Sequence, residues 1–229
     1  MIQLQVNSFL TRIADYEETN SWSSQFRGKR FDFFKQLIRT LALPLNILDV
    51  GGREAIWQKE FYGSQKEFDD VKVTILNLTK TLVSHPNLKS VVGNATNMKE
   101  YQDKQFDVIF SNSVIEHVGN YENQQQMANE IQRVGKRYFV QTPNRYFPIE
   151  PHFLFPFYQF FPLWLKVWLI SHFDLGWRKK QTDQAEAINI ADSVRLLSKK
   201  ELKQLFPKAK IFEEKFAFFT KSFIVYEGW

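Results

Sequence analysis

The chain contains no cysteine among its 229 residues. Disulfides and thiolate-held metals are therefore excluded, and a reducing compartment is permitted. Its opening stretch, MIQLQVNSFLTRIADYEE, lacks a basic segment followed by an apolar run, so no signal peptide is expected. No Gly-x-x-x-x-Gly-Lys phosphate loop is present. A dinucleotide fingerprint also fails: the window from Gly51 has Arg53 and Ile56 where the later glycines would stand. His-Glu-x-x-His or comparable ligand spacing is missing too, and no metal site is expected. The basic groups, Arg27 to Arg30, Arg178 to Lys180 and Lys199-Lys200, are short and come with no nucleic-acid motif. Nucleic acid is not an expected partner.

What remains suits one large α/β domain over 1–229. Hydrophobic residues make up 44%, enough for a sizeable core, and aromatics 16%, with 23 phenylalanines unevenly placed. The net charge of +5 describes a solvated surface, with room for an anionic partner or a membrane surface.

Apolar residues at Phe31, Phe34, Leu37, Ile38 and Leu41 have a helical spacing that predicts one sheet-covering helix over 31–43, stopped by Pro44. Short buried strands are expected at 46–50, 71–78, 88–92, 106–110 and 137–141, with a helix over 123–134 between the last two. Strands alternating with helices imply βαβ units and a parallel sheet. Ser198 and Glu201 read as a capping box opening a helix through Phe206, closed by Pro207. Runs at 210–218 and 222–226 predict an antiparallel hairpin at the sheet edge.

Two places carry candidate chemistry. In "ILDVGGREA" an acid ends the first strand and two glycines make the turn, allowing a positive φ and a close backbone approach to a ligand. In "FDVIFSNSVIEHV" a core strand runs straight into Ser111, Asn112, Ser113, Glu116 and His117. Ligands of open α/β sheets bind beyond the carboxyl ends of the strands, so this stretch is a candidate crevice wall. "TPNRYFPIEPHF" adds Tyr146, Glu150 and His152 after the fifth strand.

Taken in order, "ILDVGG", "VTILNLTK", "VVGNATNM", "FDVIFSNSVIEHV" and "YFVQTPN" resemble the motif set of class I S-adenosylmethionine-dependent methyltransferases, in the small-molecule branch with Glu-His-Val after the fourth strand. The resemblance implies a doubly wound, mostly parallel seven-stranded sheet with a C-terminal antiparallel hairpin. It implies S-adenosyl-L-methionine as cofactor, held by Asp49, Gly51, Gly52, Asn77, Leu78, Asn94, Ala95, Ser111, Asn112 and Ser113. Three positions depart from the pattern: Arg53 replaces a loop glycine, Asn77 an acid that grips the ribose hydroxyls, and Asn94 an Asp that meets the adenine amino group. Asparagine still accepts a hydrogen bond but without charge assistance. These departures favour the competing class, an inactive relative that binds a ligand through the same fold.

If methyl transfer goes to a hydroxyl, a base near neutral pKa is needed, and imidazole suits it. His152 is placed first, with Glu150 as its orienting carboxylate. His117 either shares that task or holds the cofactor loop. The expected acceptor is a small molecule, a glycan or a lipid-linked compound. One segment breaks the α/β pattern: "FLFPFYQFFPLWLKVWLI", 153–170, with Lys166 as its one charge. Its length approaches a membrane span, but Pro156 and Pro162 break the helix and Lys166 would lie deep in hydrocarbon. The segment is expected to belong to an aromatic helical insertion over 145–190. That insertion would act as a lid for acceptor recognition, flanked by Lys166, His172 and Arg178 to Lys180 and touching anionic membrane transiently. The protein is expected to be cytoplasmic and at most peripheral to the membrane.

Overall fold

The computed structural model of the chain describes residues 22–63 and 68–229; the opening stretch read for a signal peptide lies outside them. In chain order the elements are α1 (Trp22–Ile38), β1 (Leu45–Val50), α2 (Glu54–Trp57, continued by a π-turn, Gln58–Tyr62), β2 (Val71–Asn77), β3 (Leu88–Val92) and β4 (Val108–Asn112). A 3-10 turn (Ile115–His117), α3 (Tyr121–Val134), β5 (Tyr138–Pro143), β6 (Ile149–Glu150) and β7 (Phe155–Pro156) follow. After a second 3-10 turn (Tyr158–Phe160) come α4 (Leu163–His172), α5 (Gln184–Asp192), α6 (Lys199–Leu205), β8 (Lys210–Phe216) and β9 (Phe219–Glu227).

Seven strands form one sheet in the order β3-β2-β1-β4-β5-β9-β8. The first five are parallel, while β9 runs antiparallel to both β5 and β8. Strands β4 and β5 are buried along nearly their whole length, as expected of strands covered on both faces. Strand β2 instead alternates the buried Val71 and Val73 with the exposed Lys72, and β3 lies at the sheet edge. Successive side chains divide between two cores. Ile47, Val108, Phe110, Phe139 and Ile224 pack with α1, Trp57 and Phe61. Leu48, Val50, Ile109, Val140 and Val225 pack with α3 and α6. Strand order reverses between β1 and β4, which opens the crevice at their carboxyl ends.

The expected strands lie where the sequence puts them, with β4 displaced two residues toward the crevice so that Ser111 and Asn112 complete it. Ser198 and Glu201 form the full capping box of α6. At the other end, α1 starts at Trp22 and stops at Ile38, earlier at both ends than its apolar spacing predicts. Its added turns place Arg27 and Arg30 in the interior, which corrects their reading as part of a solvated basic surface. Arg30 grips Glu214 of β8 through two hydrogen bonds, at 3.1 and 2.8 Å. It also donates to the Asn112 amide oxygen, and Ser222 of β9 donates to Glu214. One guanidinium thus joins α1, the end of β4 and the C-terminal hairpin.

The segment 153–191 has a third core of its own, built from Phe153, Tyr158, Leu169, Ile170, Leu175, Ala187 and Ala191. No helix among the described residues is long and apolar enough to cross a membrane. Pro162 caps α4 instead of interrupting a longer helix.

Removing one partner of a buried ion pair leaves the other charge uncompensated. Arg30→Met is therefore expected to lower stability by about 3 kcal/mol. Arg30→Met/Glu214→Leu should recover part of that loss, read as the urea midpoint at constant slope.

Candidate active site

Asp49 shares its face of β1 with Ile47, so an acid points toward an aromatic core. It is 2% exposed, and its carboxylate accepts the Trp57 indole N–H at 2.5 Å. Burial raises its carboxyl to about 7, against the opposing effect of the indole bond. The same carboxylate explains the loop. A Cβ on Gly52 would fall 1.5 Å from Asp49 Oδ2. Gly51 has φ +80°, and a Cβ there would meet Val114 Cγ2 at 2.4 Å. Only glycine fits at either position. Arg53, by contrast, is extended at φ −135°, a conformation open to any residue, so its departure from the family glycine requires no strain.

Asn77, at the end of β2, donates its amide to the Gly52 carbonyl at 3.0 Å. It fastens the loop in a way that an acid could not, since a carboxylate has no donor. Leu78 follows at 74% exposure beside the crevice. Asn94 spends its side-chain oxygen locally, on the Thr96 N–H at 3.0 Å and the Thr96 hydroxyl at 2.9 Å. Ala95 packs against the core beneath.

Beyond β4 the three polar residues have distinct surroundings. Ser111 is wholly buried and donates to the Val50 carbonyl at 3.3 Å, tying β4 to β1. Asn112 is held by Arg30. Ser113 has φ +57° and donates to Gln141 of β5 at 2.8 Å. Glu116 is buried; its Oε2 accepts the Thr142 hydroxyl at 2.9 Å, while its Oε1 has no partner among the described residues.

The two candidate histidines meet. Their rings lie 4.7 Å apart and perpendicular, brought together from the loops after β4 and β5. Glu150 is buried and accepts from the backbone N–H of His152 at 2.7 Å and of Phe153 at 2.8 Å. Its other oxygen meets His152 Nδ1 at 2.6 Å, which fixes the ring and leaves Nε2 as the nitrogen not engaged by Glu150. Burial pulls His152 down, but the Glu150 hydrogen bond and charge, with Glu116 behind, raise it above the ordinary imidazole value. Desolvation holds His117 below that value, against the attraction of Glu116, and His152 adds to the lowering. One imidazole is raised and its neighbour lowered. Glu116, His117 and His152 each bring a ligand atom within 4.8 Å of the others, a grouping no local spacing announces.

Beside Glu150 opens a cavity of about 400 Å³, lined also by Arg145, Tyr158, Gln159, Lys166 and Arg195. Lys166 faces this cavity, with its ammonium 5.5 Å from the Tyr158 ring centre, and not the outer surface expected of it. Trp164, at 70% exposure, and Trp168 lie a turn apart on the opposite side of α4, and Phe157, Phe160 and Leu163 are exposed as well.

Sequence reasoning missed Trp57, Arg30 and Thr142. A polar residue in register with core residues on an aromatic helix face was the available sign for Arg30. The other two act only through contacts made in the fold.

Residues 48–138 match the model of the methyltransferase domain family. No curated protein matches the chain by sequence. Among solved structures, the CurJ carbon methyltransferase superposes with a TM-score of 0.55 at 6% identity, covering 90% of this chain. This chain spans 55% of that one. A Pyrococcus horikoshii protein superposes at 0.50 with 17% identity, over 92% of this chain and 93% of its own. At such identities these two show the fold. The chain carries a methyltransferase domain over residues 48–138, within a sheet-and-helix arrangement like that of the class I S-adenosylmethionine-dependent enzymes. It is an enzyme of methyl transfer, and S-adenosylmethionine is its cofactor.

The native state favours neutral Asp49, so the stability from this group is full below its unfolded value near 3.8 and declines as pH rises toward 7. The ligand-free protein is expected to lose up to about 4 kcal/mol across that window. Asp49→Asn, which keeps an acceptor for Trp57, should flatten this part of the profile, measured by unfolding at fixed ionic strength.

Proposed function

We propose that this methyltransferase alkylates a hydroxyl of an apolar, lipid-linked acceptor, with His152 as general base and Glu150 as the residue that orients it. The observation that carries the reading is the His152–Glu150 pair, held at 2.6 Å beside a cavity at the carboxyl end of the sheet. Gly51 and Gly52, packed directly against Val114 and Asp49, make the tight turn after β1 whose backbone would hold the methionine end of the cofactor. Asn77 and Leu78 take the ribose and its surroundings, Asn94 and Ala95 flank the adenine, and Asn112 and Ser113 face the sulfonium side. Ser111 acts from within the strand. Bound S-adenosylmethionine supplies a methyl group on a positively charged sulfonium, already a good leaving group, so positioning carries much of the rate. His152 Nε2 would take the hydroxyl proton while the acceptor oxygen bonds to the methyl carbon and the methyl–sulfur bond breaks, its electron pair going to sulfur, which leaves as a neutral thioether. Glu150 stabilises the imidazolium that results, and His117, packed against the His152 ring, holds the loop after β4 on the cofactor side.

His152→Ala is expected to lower turnover at least about 10²-fold with cofactor affinity unchanged. His117→Ala should instead weaken cofactor binding. A second reading has one observation in its favour, the orphaned Oε1 of Glu116: the cluster of Glu116, His117 and His152 holds a divalent cation. Turnover that survives EDTA supports the base. Loss on EDTA with recovery on added zinc would make His152 a ligand.

The acceptor class rests on the insertion. Its helix α4 turns Trp164 and Trp168 outward, with Lys179 and Lys180 exposed nearby, the composition of a helix that lies in a membrane interface. The wild-type protein is expected to co-sediment with vesicles containing phosphatidylglycerol, and Trp164→Glu/Trp168→Glu to lose most of that binding. Equal absence of binding in both would leave α4 as a helix serving the third core alone.

A further inference from the structure

The cavity beside Glu150 has polar features that the chemistry of methyl transfer does not use. Tyr158 is 2% exposed, lines the cavity, and its hydroxyl is buried with no hydrogen-bond partner among the described residues. Gln159 donates its amide nitrogen to the Arg145 and Phe147 carbonyls, both at 2.9 Å, which fixes the orientation of the amide. Its oxygen is then buried and unpartnered as well. Buried polar groups are nearly always satisfied, so two orphans on one cavity wall point to a ligand.

The charges on the same wall divide into spent and unspent. Arg195 is committed to Gln124 at 2.6 Å and Glu201 at 2.5 Å. Glu150 is saturated by two backbone N–H groups and His152. The side chains of Arg145 and Lys166 have no hydrogen-bond or ion-pair partner among the described residues, and Lys166 is half-buried. Asp192 at the end of α5 is likewise unpaired. Two available cations suit an anion. The Gln159 oxygen and the Asp192 carboxylate can only accept, so they suit hydroxyl groups, and the Tyr158 hydroxyl can serve either. A volume of about 400 Å³ lies in the range of small-ligand sites.

We propose that this cavity is a subsite for a hydroxylated anion, a phosphorylated sugar or polyol, carried by the acceptor. Arg145 and Lys166 take the phosphate, while Gln159 and Asp192 take the hydroxyls. The assignment of this group to the acceptor rests on the functional reading above, because Glu150 borders both the cavity and the base. The binding itself does not depend on that reading. The subsite also accounts for the inward turn of Lys166 on an otherwise apolar helix.

Calorimetry with glucose 6-phosphate tests it, with glucose and inorganic phosphate as the partial probes and S-adenosylmethionine titrated in parallel. Glucose 6-phosphate is expected to bind at least about tenfold more tightly than either partial probe. Arg145→Gln and Lys166→Gln should each weaken it about tenfold, and Tyr158→Phe a few-fold, with S-adenosylmethionine affinity unchanged. Displacement of glucose 6-phosphate by phosphatidylinositol vesicles supports a lipid headgroup as its source, and saturable binding without displacement supports a soluble phosphosugar. Binding that is equal in wild type and Arg145→Gln/Lys166→Gln, or absent in protein that binds S-adenosylmethionine, overturns the subsite. Failure to bind S-adenosylmethionine, with glucose 6-phosphate binding intact, would instead overturn the functional reading.

Discussion

The site depends on a carboxylate folded beneath a glycine. Asp49 occupies the volume that any side chain on Gly52 would need, and Trp57 of the following helix anchors it there. Loop, strand end and helix start are thereby fixed to one another. Asn77 adds a fourth point of attachment from the neighbouring strand. Burying an acid in an aromatic core is costly, and its raised carboxyl records that cost. A group held so close to neutrality is responsive to charge. A cation arriving above it, such as the ammonium of the cofactor's methionine end, would favour its ionised form and so couple cofactor binding to proton release.

The sheet was legible in the sequence because its parallel strands are short apolar runs separated by turn residues. That arrangement determines alternation between two cores and leaves little freedom of register. Boundaries were less legible where polar residues continue an element. Ser111 and Asn112 belong to β4 although they look like its loop, and 22–30 belongs to α1 although it lacks an apolar stripe. The two-residue strands β6 and β7 gave no periodic pattern at all. Capping at Ser198 was readable because both halves of the motif are local in sequence.

The candidate site was legible to the same degree and for the same reason. Glu150 and His152 are two residues apart, so their pairing could be read directly. The approach of His117 to His152, the bond from Thr142 to Glu116, and the reach of Arg30 to Asn112 exist only because β4 lies between β1 and β5. The substituted family positions gain meaning in the same way. Arg53 stands in extended backbone where glycine is not required, and Asn77 supplies a donor that the usual acid lacks. Neither substitution disturbs the turn at Gly51 and Gly52.

The third core has a consequence of a different kind. Because 153–191 gathers its own apolar side chains, it can open or melt at a free-energy cost set by that small cluster and not by the sheet. It can also change its sequence without disturbing the strands that position Asp49 and Glu116. Descendants of this chain could therefore remodel a few dozen residues on one side of the crevice while the sheet and the loops at its carboxyl edge are inherited intact.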